Sequence, residues 1–487
     1  MPFFSSETSA ESGDRLLLLT NHFPPGQAAG ARRWEKLAHF AAERGFGLDV
    51  FTLDPRDLEA GDSTRLDGLP SGVRVFGVRA QSHWMSRSID GLARLSHRLR
   101  GLLRSTGASA TEGRPESTGK TTIAGEDWPR REDILKAGYE PATWRPALHS
   151  LLDIASEKAW ADAAASLAGS CFDPRVHRAI ISCGPPHMVH AAASRLSQRF
   201  GVPLVVDLRD PWSERERLHA SFASPLWFHM ARRFEARSFE QASLVVMNTP
   251  SAAQLMARVY PTLAPRILSV TNGFDEEEGI RADFGPGFVL AYAGSIYLDR
   301  SPRNLFRAIR QVARELELDS ADLRIELMGN FEVEVIRTMA REEDVEDRLT
   351  LHPAGNSRDV SKLYSRAPML VNLPQDSDLA IPSKIFEYIV RPSWVLALAV
   401  PDSATGRVLA GTRADVVAPD DVKGIAEVIR RRYQAFRAGE RPQPIADDPR
   451  LGRAHQAGIL FDALERCLRR PEPQRLRACR DAAPPAA

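Results

Sequence analysis

Short apolar runs alternate with amphipathic segments in two separate series, and this rhythm confines the chain to α/β architectures built on parallel sheets. In the first series RLLLLT at 15–20 ends in the Pro- and Gly-bearing NHFPPGQAAG. An amphipathic stretch from Arg33 to Ala42 follows, Gly45 stops it, and LDVFTL at 48–53 is the next strand. Such a strand–loop–helix–strand unit pairs its strands in parallel, because parallel neighbours need a crossover long enough to hold a helix. Further strands are expected at 73–78, 179–183, 204–208 and 244–248, with a helix around 145–168. RILSVTNGF at 266–274 reads as one more strand leading into a turn. The second series starts at FVLAYAGS (288–295) and continues with strands at 323–329, 349–353, 369–373, 395–400 and 415–419. It includes a helix from about Pro302 to Leu316, with Ser301 as N-cap and Pro302 at the first helical position, and another over 421–434.

At 487 residues the chain exceeds one ordinary domain. The expected division is an N-terminal Rossmann-like domain over 1–281, a C-terminal one over 282–436, and a tail over 437–487. The boundary falls near 275–287, where the sequence is acidic and Gly-bearing, and the tail carries a helix near 453–469 before a frayed end. Residues 105–127 are Ser-, Thr-, Gly- and charge-rich with little to bury, and read as a mobile insertion. Two open parallel sheets suggest α/β halves facing a cleft, with ligands beyond the carboxyl ends of the strands.

Lys plus Arg total 64 against 63 Asp plus Glu, so the net charge of +1 argues against a general nucleic-acid binder. The polar start MPFFSSETSAESGDR has neither the basic nor the apolar region of a signal peptide, so a cytoplasmic protein is expected. Cys171, Cys183, Cys467 and Cys479 form no CxxC pattern and read as scattered free thiols. GRPESTGKT at 113–121 has Arg114 where a P-loop needs its first glycine, and no strand precedes it. Asp376-Ser377-Asp378 matches the Asp-x-Asp of metal-using transferases but falls late, in a loop where a metal is not expected; no metal site is assigned.

The segment IPSKIFEY at 381–388 carries the most chemistry. Ser383 is expected as the N-cap of a helix whose backbone donors face a phosphate. Lys384 lies in the first turn, and its charge suits a diphosphate. Glu387, one turn on, has two oxygens that can accept vicinal ribose hydroxyls, whereas Ile385, Phe386 and Ile389 suit the interior.

This motif resembles the Pro-Ser-Lys-hydrophobic-Phe-Glu-Tyr helix of retaining GT-B glycosyltransferases of the family-4 type. AYAGSIYLDRSPRNLFRAI at 291–309 resembles that family's donor-domain glycine loop, and RPSWVLALAV at 391–400 the strand after the motif. LLTNHFPPGQAAGARRWEKLA at 18–38 resembles its acceptor loop, and the likeness is collinear from about residue 15 to 435. The resemblance implies a GT-B fold and a nucleotide-diphosphate-sugar as substrate, with no separate cofactor. It also implies transfer with retention to a hydroxyl-bearing glycan or lipid-linked acceptor in bacterial polysaccharide or glycoconjugate synthesis. It assigns the donor ribose to Glu387 and the diphosphate to the glycine loop at Gly294–Ser295; the Arg and Lys that commonly clamp the diphosphate after that loop are not in the usual pattern, and Arg300 and Arg303 are nearby candidates. The chain departs from the family at Leu379, where a first glutamate often stands eight positions before the second.

DLRDPW at 207–212 ends a strand, so Asp207, Arg209 and Asp210 should border the cleft. Arg209 and Asp210 are candidates for contacts to acceptor or sugar, against an internal Asp–Arg pair that merely shapes the loop. His187, after Gly184-Pro185-Pro186, is a further candidate, although a lone histidine is often structural. The charged helix face at 232–242, beside Trp212, Phe222, Trp227 and Phe228, leaves room for a peripheral contact with the inner membrane face. Two alternatives share these features: a nucleotide-sugar epimerase of the same fold, and a nucleotide-sugar-binding subunit weakened in catalysis by Leu379.

Overall fold

The computed structural model describes residues 1–6, 13–28, 30–58, 60–80, 128–138, 144–275, 281–296, 300–374, 377–446 and 448–469. The insertion expected at 105–127, Asp376 and the chain end beyond 469 lie outside the described residues.

The first series folds into an eight-stranded sheet of β1 (Phe4–Ser5), β2 (Arg15–Thr20), β3 (Gly47–Leu53), β4 (Val73–Val78), β5 (His177–Gly184), β6 (Leu204–Leu208), β7 (Leu244–Met247) and β8 (Ile267–Ser269). Their order is β1-β4-β3-β2-β5-β6-β7-β8, and every pair is parallel except β1 with β4. The second series forms a six-stranded parallel sheet of β9 (Phe288–Ala293), β10 (Leu323–Met328), β11 (Leu349–His352), β12 (Met369–Asn372), β13 (Trp394–Leu398) and β14 (Asp415–Val417), in the order β11-β10-β9-β12-β13-β14. Chain direction across the sheet reverses between β2 and β5 in one half and between β9 and β12 in the other. Loops diverge at such points and leave a crevice.

Successive residues of a strand face opposite ways, and the continuous apolar runs are buried on both faces. Leu17 and Leu19 enter the core beneath the helices Trp144–Cys171, Met188–Phe200 and Pro225–Gln241. Leu16 and Leu18 enter the opposite core with Trp34 and Leu37 of the first helix, Ala31–Glu43. That second core also takes Ala457, Leu460, Phe461 and Leu464, so the last helix, Arg453–Arg469, packs on the first sheet.

Two stretches cross between the halves side by side. Phe274 N–H donates to the Leu451 carbonyl at 3.0 Å, and Arg453 N–H to the Phe274 carbonyl at 2.7 Å. Gly273 between them has φ +66°, and a Cβ there would lie 2.7 Å from Arg453 Cα, so a side chain is excluded twice over.

The strand expected within 266–274 covers Ile267–Ser269; Val270 N–H still donates to the Met247 carbonyl at 2.9 Å, and Thr271 N–H then passes to the side chain of Gln456 at 2.8 Å as the chain leaves the sheet. The helix expected to start at Pro302 runs Arg303–Glu315 with Pro302 in the N-cap position; Ser301 Oγ accepts from Arg303 N–H at 3.3 Å, one residue out of register for a cap.

The Ala31–Glu43 helix is fixed to the first sheet by a buried ion pair. Arg33 Nη2 lies 2.8 Å from Asp207 Oδ1, and Arg33 Nε and Trp34 Nε1 each donate to Asp207 Oδ2 at 2.8 Å. Arg33 is 3% exposed and Asp207 0%. Burial works against the Arg33 charge, Asp207 more than offsets it, and the guanidinium pKa is raised. Removing one charge leaves the other buried and unpaired, which costs about 3–5 kcal/mol. Asp207→Asn is therefore expected to lower the unfolding free energy by about that amount in urea titration; a loss below about 1 kcal/mol would be ordinary for any substitution and would remove this role.

Candidate functional site

At the second sheet's reversal, the loop after β9 meets the helix Lys384–Tyr388. A Cβ on Gly294 would lie 2.6 Å from Lys384 Cε and 2.7 Å from the Tyr292 hydroxyl, so the missing side chain is what lets the lysine stem rest on the backbone. The Tyr292 hydroxyl donates to the Ser295 carbonyl at 2.9 Å, which fixes the loop. Gly294 N–H donates to the Met328 carbonyl at 2.8 Å, so the donor expected to meet a diphosphate is already engaged.

The helix of IPSKIFEY is one short turn. Ser383 stands in the N-cap position with an exposed side chain, in helical rather than extended backbone, and makes no capping bond. Ile385 and Phe386 N–H donate to the carbonyls of Pro382 and Ser383 at 3.0 and 3.2 Å. Two of the expected first-turn donors are thus taken by tight local turns. Ile385, Phe386 and Tyr388 are buried, as core members should be.

Lys384 is half-buried; burial lowers its pKa, Glu387 opposes this, and Arg300 and Arg32 add to it. Arg303, by contrast, is held by Glu342 at 2.7 Å and Glu343 at 3.0 Å. Glu387 is paired across the cleft with Arg32 of the Ala31–Glu43 helix. Beside this turn, at the carboxyl ends of β10 and β11, lies a cavity of about 260 Å³ lined by Met328, His352, Gly355, Asp359, Lys362 and Arg366. The loop before the helix is tied to the first domain: the Thr249 hydroxyl donates to the Leu379 carbonyl at 2.6 Å, and Ser377 Oγ to Glu216 at 3.2 Å.

The facing loops follow β2, β5 and β6. Arg209 does not pair with Asp207, whose carboxylate belongs to Arg33. It donates instead to the carbonyls of Gly184 at 3.2 Å and Pro185 at 2.5 Å. Its guanidinium lies on Gly30, where a Cβ would sit 1.1 Å from Nη1. Asp210 is half-buried at the same strand end. Burial and then Arg209 push the imidazole of His22 down to about 4.

His187 is buried behind this loop, stacked on Trp212 with ring centroids 5.2 Å apart. Burial, His190 and two arginines hold its pKa well below the usual value, so it is a neutral imidazole. Both its ring nitrogens lack a partner among the described residues. Its backbone N–H donates to Glu157 at 3.0 Å, where burial and then Asp153 push the carboxyl up to about 7.

Of the aromatic residues weighed for membrane contact, Trp212, Trp227 and Phe228 are buried and Phe222 is half-buried. Exposed instead are Trp144, Leu148 and Leu151, at 59%, 39% and 45%, on one stripe of the Trp144–Cys171 helix. Among the described residues, no helix is long and apolar enough to cross a membrane and no group of three His, Cys, Asp or Glu side chains is placed to hold a metal ion.

Arg32, Arg33, Glu157, Asp275 and Arg453 escaped the sequence reading. Only Arg33 left a signal, as a charge inside the apolar stripe of Trp34 and Leu37, which demands a buried partner.

No protein-family model matches the chain, and no curated protein matches it in sequence. Solved structures do match its backbone. A UDP-forming α,α-trehalose-phosphate synthase from Burkholderia xenovorans superposes with a TM-score of 0.54 at 11% identity, covering 93% of this chain and 99% of that one. The two-sheet arrangement is the GT-B fold. A sucrose-phosphate synthase from Thermosynechococcus elongatus gives 0.53 at 14% identity over 96% and 100% of the two chains. The lipopolysaccharide outer core galactosyltransferase WaaB, in its apo form, gives 0.52 at 9% over 93% and 99%.

The raised carboxyl of Glu157 gives a pH test. A folded pKa of about 7, above the ordinary carboxylate value, means that the folded state binds the extra proton. Its stabilising contribution is complete below the unfolded pKa and is lost as pH rises toward 7. The buried neutral histidines act in the opposite direction, favouring the folded state above their unfolded pKa. Glu157→Gln is therefore expected to be more favourable relative to wild type at pH 8 than at pH 5 by urea denaturation. An equal effect at both values would show that Glu157 titrates normally.

Proposed function

We propose that this protein is a glycosyltransferase that moves a sugar from a nucleotide-diphosphate donor to a hydroxyl acceptor with retention of anomeric configuration. One observation carries the reading: Lys384 and Glu387 sit one turn apart at the carboxyl end of the second sheet, with the lysine stem on Gly294. This pair suits the two invariant parts of such a donor. Glu387 accepts the vicinal ribose hydroxyls, and Lys384 with Arg300 balances the diphosphate. The cavity beyond Met328 and His352 is the place left for the base. The GT-B fold supports the reading, as do the UDP-forming and sugar-transferring neighbours.

Departure of the diphosphate leaves negative charge that Lys384 stabilises. The leaving phosphate takes the acceptor proton on the same face, so the scheme uses no carboxylate nucleophile and no metal. Arg209 and Asp210, from the opposite domain, face the acceptor, and neutral His187 packs the loop that carries them. The acceptor is a glycan or lipid-linked hydroxyl in bacterial surface-polymer synthesis, and nucleic acid is not a partner. The protein works in the cytoplasm. Its peripheral contact with the inner membrane face runs through Trp144, Leu148 and Leu151, beside Arg145, whose guanidinium lies 5.3 Å from the Trp144 ring. Co-sedimentation with anionic vesicles that is lost in Trp144→Ser is expected; equal binding by both would rule the stripe out.

The site is tested by thermal shift with UDP-, GDP-, TDP- and ADP-sugars, since a ligand of the folded form raises its melting temperature. Glu387→Ala is expected chiefly to weaken donor binding. Lys384→Ala is expected to lower turnover about 100-fold or more, and activity should persist in EDTA. Normal kinetics in both variants would remove the site assignment, and strict metal dependence would remove the scheme. A catalytically weakened binding subunit is the second reading, favoured by Leu379, whose position supplies a carbonyl to the interdomain contact and no acid to the sugar. Donor binding without turnover across a panel of acceptors is its signature.

A further inference from the structure

The carboxylate of Glu387 holds Arg32, a residue of the opposite domain. Their side chains are 31% and 55% exposed, so the pair is solvated, screened by salt and readily displaced by a competing ligand. The surroundings of Arg32 are cationic: its charge acts on both Lys384 and Arg453, and Arg300 also acts on Lys384. Asp275, the acid nearby, is already held by Arg453 at 2.6 Å and Lys36 at 3.1 Å. A guanidinium released from Glu387 would thus stand among positive charges, and a diphosphate is the partner such a field favours.

We propose that Arg32 is a diphosphate-binding residue that the first domain supplies and that Glu387 holds in reserve. When the ribose of a nucleoside diphosphate takes the carboxylate, the guanidinium turns to the phosphates beside Lys384 and Gly294. The exchange needs only rotation of side-chain torsions, and it replaces one interdomain contact with another. The nucleotide itself thereby becomes the link between the domains. This inference rests on the reading of Glu387 as the ribose acceptor.

The test is calorimetric titration of the intact protein with UDP, GDP and ADP, each compared with its own nucleoside. Wild type, Arg32→Ala and Arg32→Lys are measured. Arg32 is exposed, so unchanged melting temperatures are expected of both variants. Arg32→Ala should weaken the best-bound diphosphate by about tenfold or more, the loss of a charge-assisted contact. Its nucleoside should bind as before or more tightly, because the guanidinium no longer competes for Glu387. Arg32→Lys should recover part of the diphosphate affinity.

A diphosphate that binds Arg32→Ala as well as or better than wild type would overturn the proposal and leave Arg32 a mere competitor of the ribose. Wild-type binding that is lost in Glu387→Ala but indifferent to Arg32 would keep the ribose reading and remove this inference alone. Failure of all three nucleotides to bind wild type would remove both.

Discussion

Arg33 and Asp207 form the contact from which the arrangement of the cleft follows. The carboxylate comes from the end of β6, the guanidinium from the first helix, and the same guanidinium reaches Asn248 at 3.1 Å and Asn272 at 3.3 Å. One buried cation therefore joins the helix, the strand, the loop after β7 and the start of the crossing to the second domain. Such a pair adds little net stability over an apolar replacement, but it tolerates only one geometry. Arg32, its neighbour in sequence, is thereby aimed outward across the cleft.

The overall charge of +1 conceals a strong local imbalance. Arg32 and Arg300 act on Lys384, and Arg32 and Arg33 act on Arg453, while Glu387 pairs with Arg32 and Asp275 with Arg453. Positive charge concentrated in a cleft is more effective than the same charge on an open surface, because the low-dielectric walls focus the field. Lys384 is partly desolvated in this setting, so an anionic ligand relieves both burial and repulsion.

Much of the fold was legible in the sequence because buried parallel strands must be continuous apolar runs, and thirteen of the strands' cores lie where β-branched and leucine residues cluster; the exception is the two-residue β1 at Phe4–Ser5. The place of Gly294 was legible too, since it directly follows β9 where the topology reverses, and the helical turn at Lys384–Tyr388 was legible from its own sequence pattern. The finer electrostatics were not. Ser383 follows the N-cap pattern, yet the five-residue turn satisfies its own donors through nearby carbonyls. Arg209 and Asp207 look like partners two residues apart, but Asp207 is taken by Arg33, and Arg209, just past the end of β6, donates to the carbonyls of Gly184 and Pro185. Pairings such as Arg32 with Glu387, 355 positions apart, have no local trace at all.

The return of the last helix to the first sheet carries a consequence for how the protein is made. Leu460, Phe461 and Leu464 fill the groove beside Leu16, Leu18 and Trp34, so the first domain's interior is closed by residues translated only after the whole second sheet. At about 5–20 residues per second, the ribosome needs roughly 10–40 s to synthesise the stretch between Asp275 and the end of that helix. Through that interval the nascent first domain carries an uncovered apolar groove, a natural substrate for a holding chaperone.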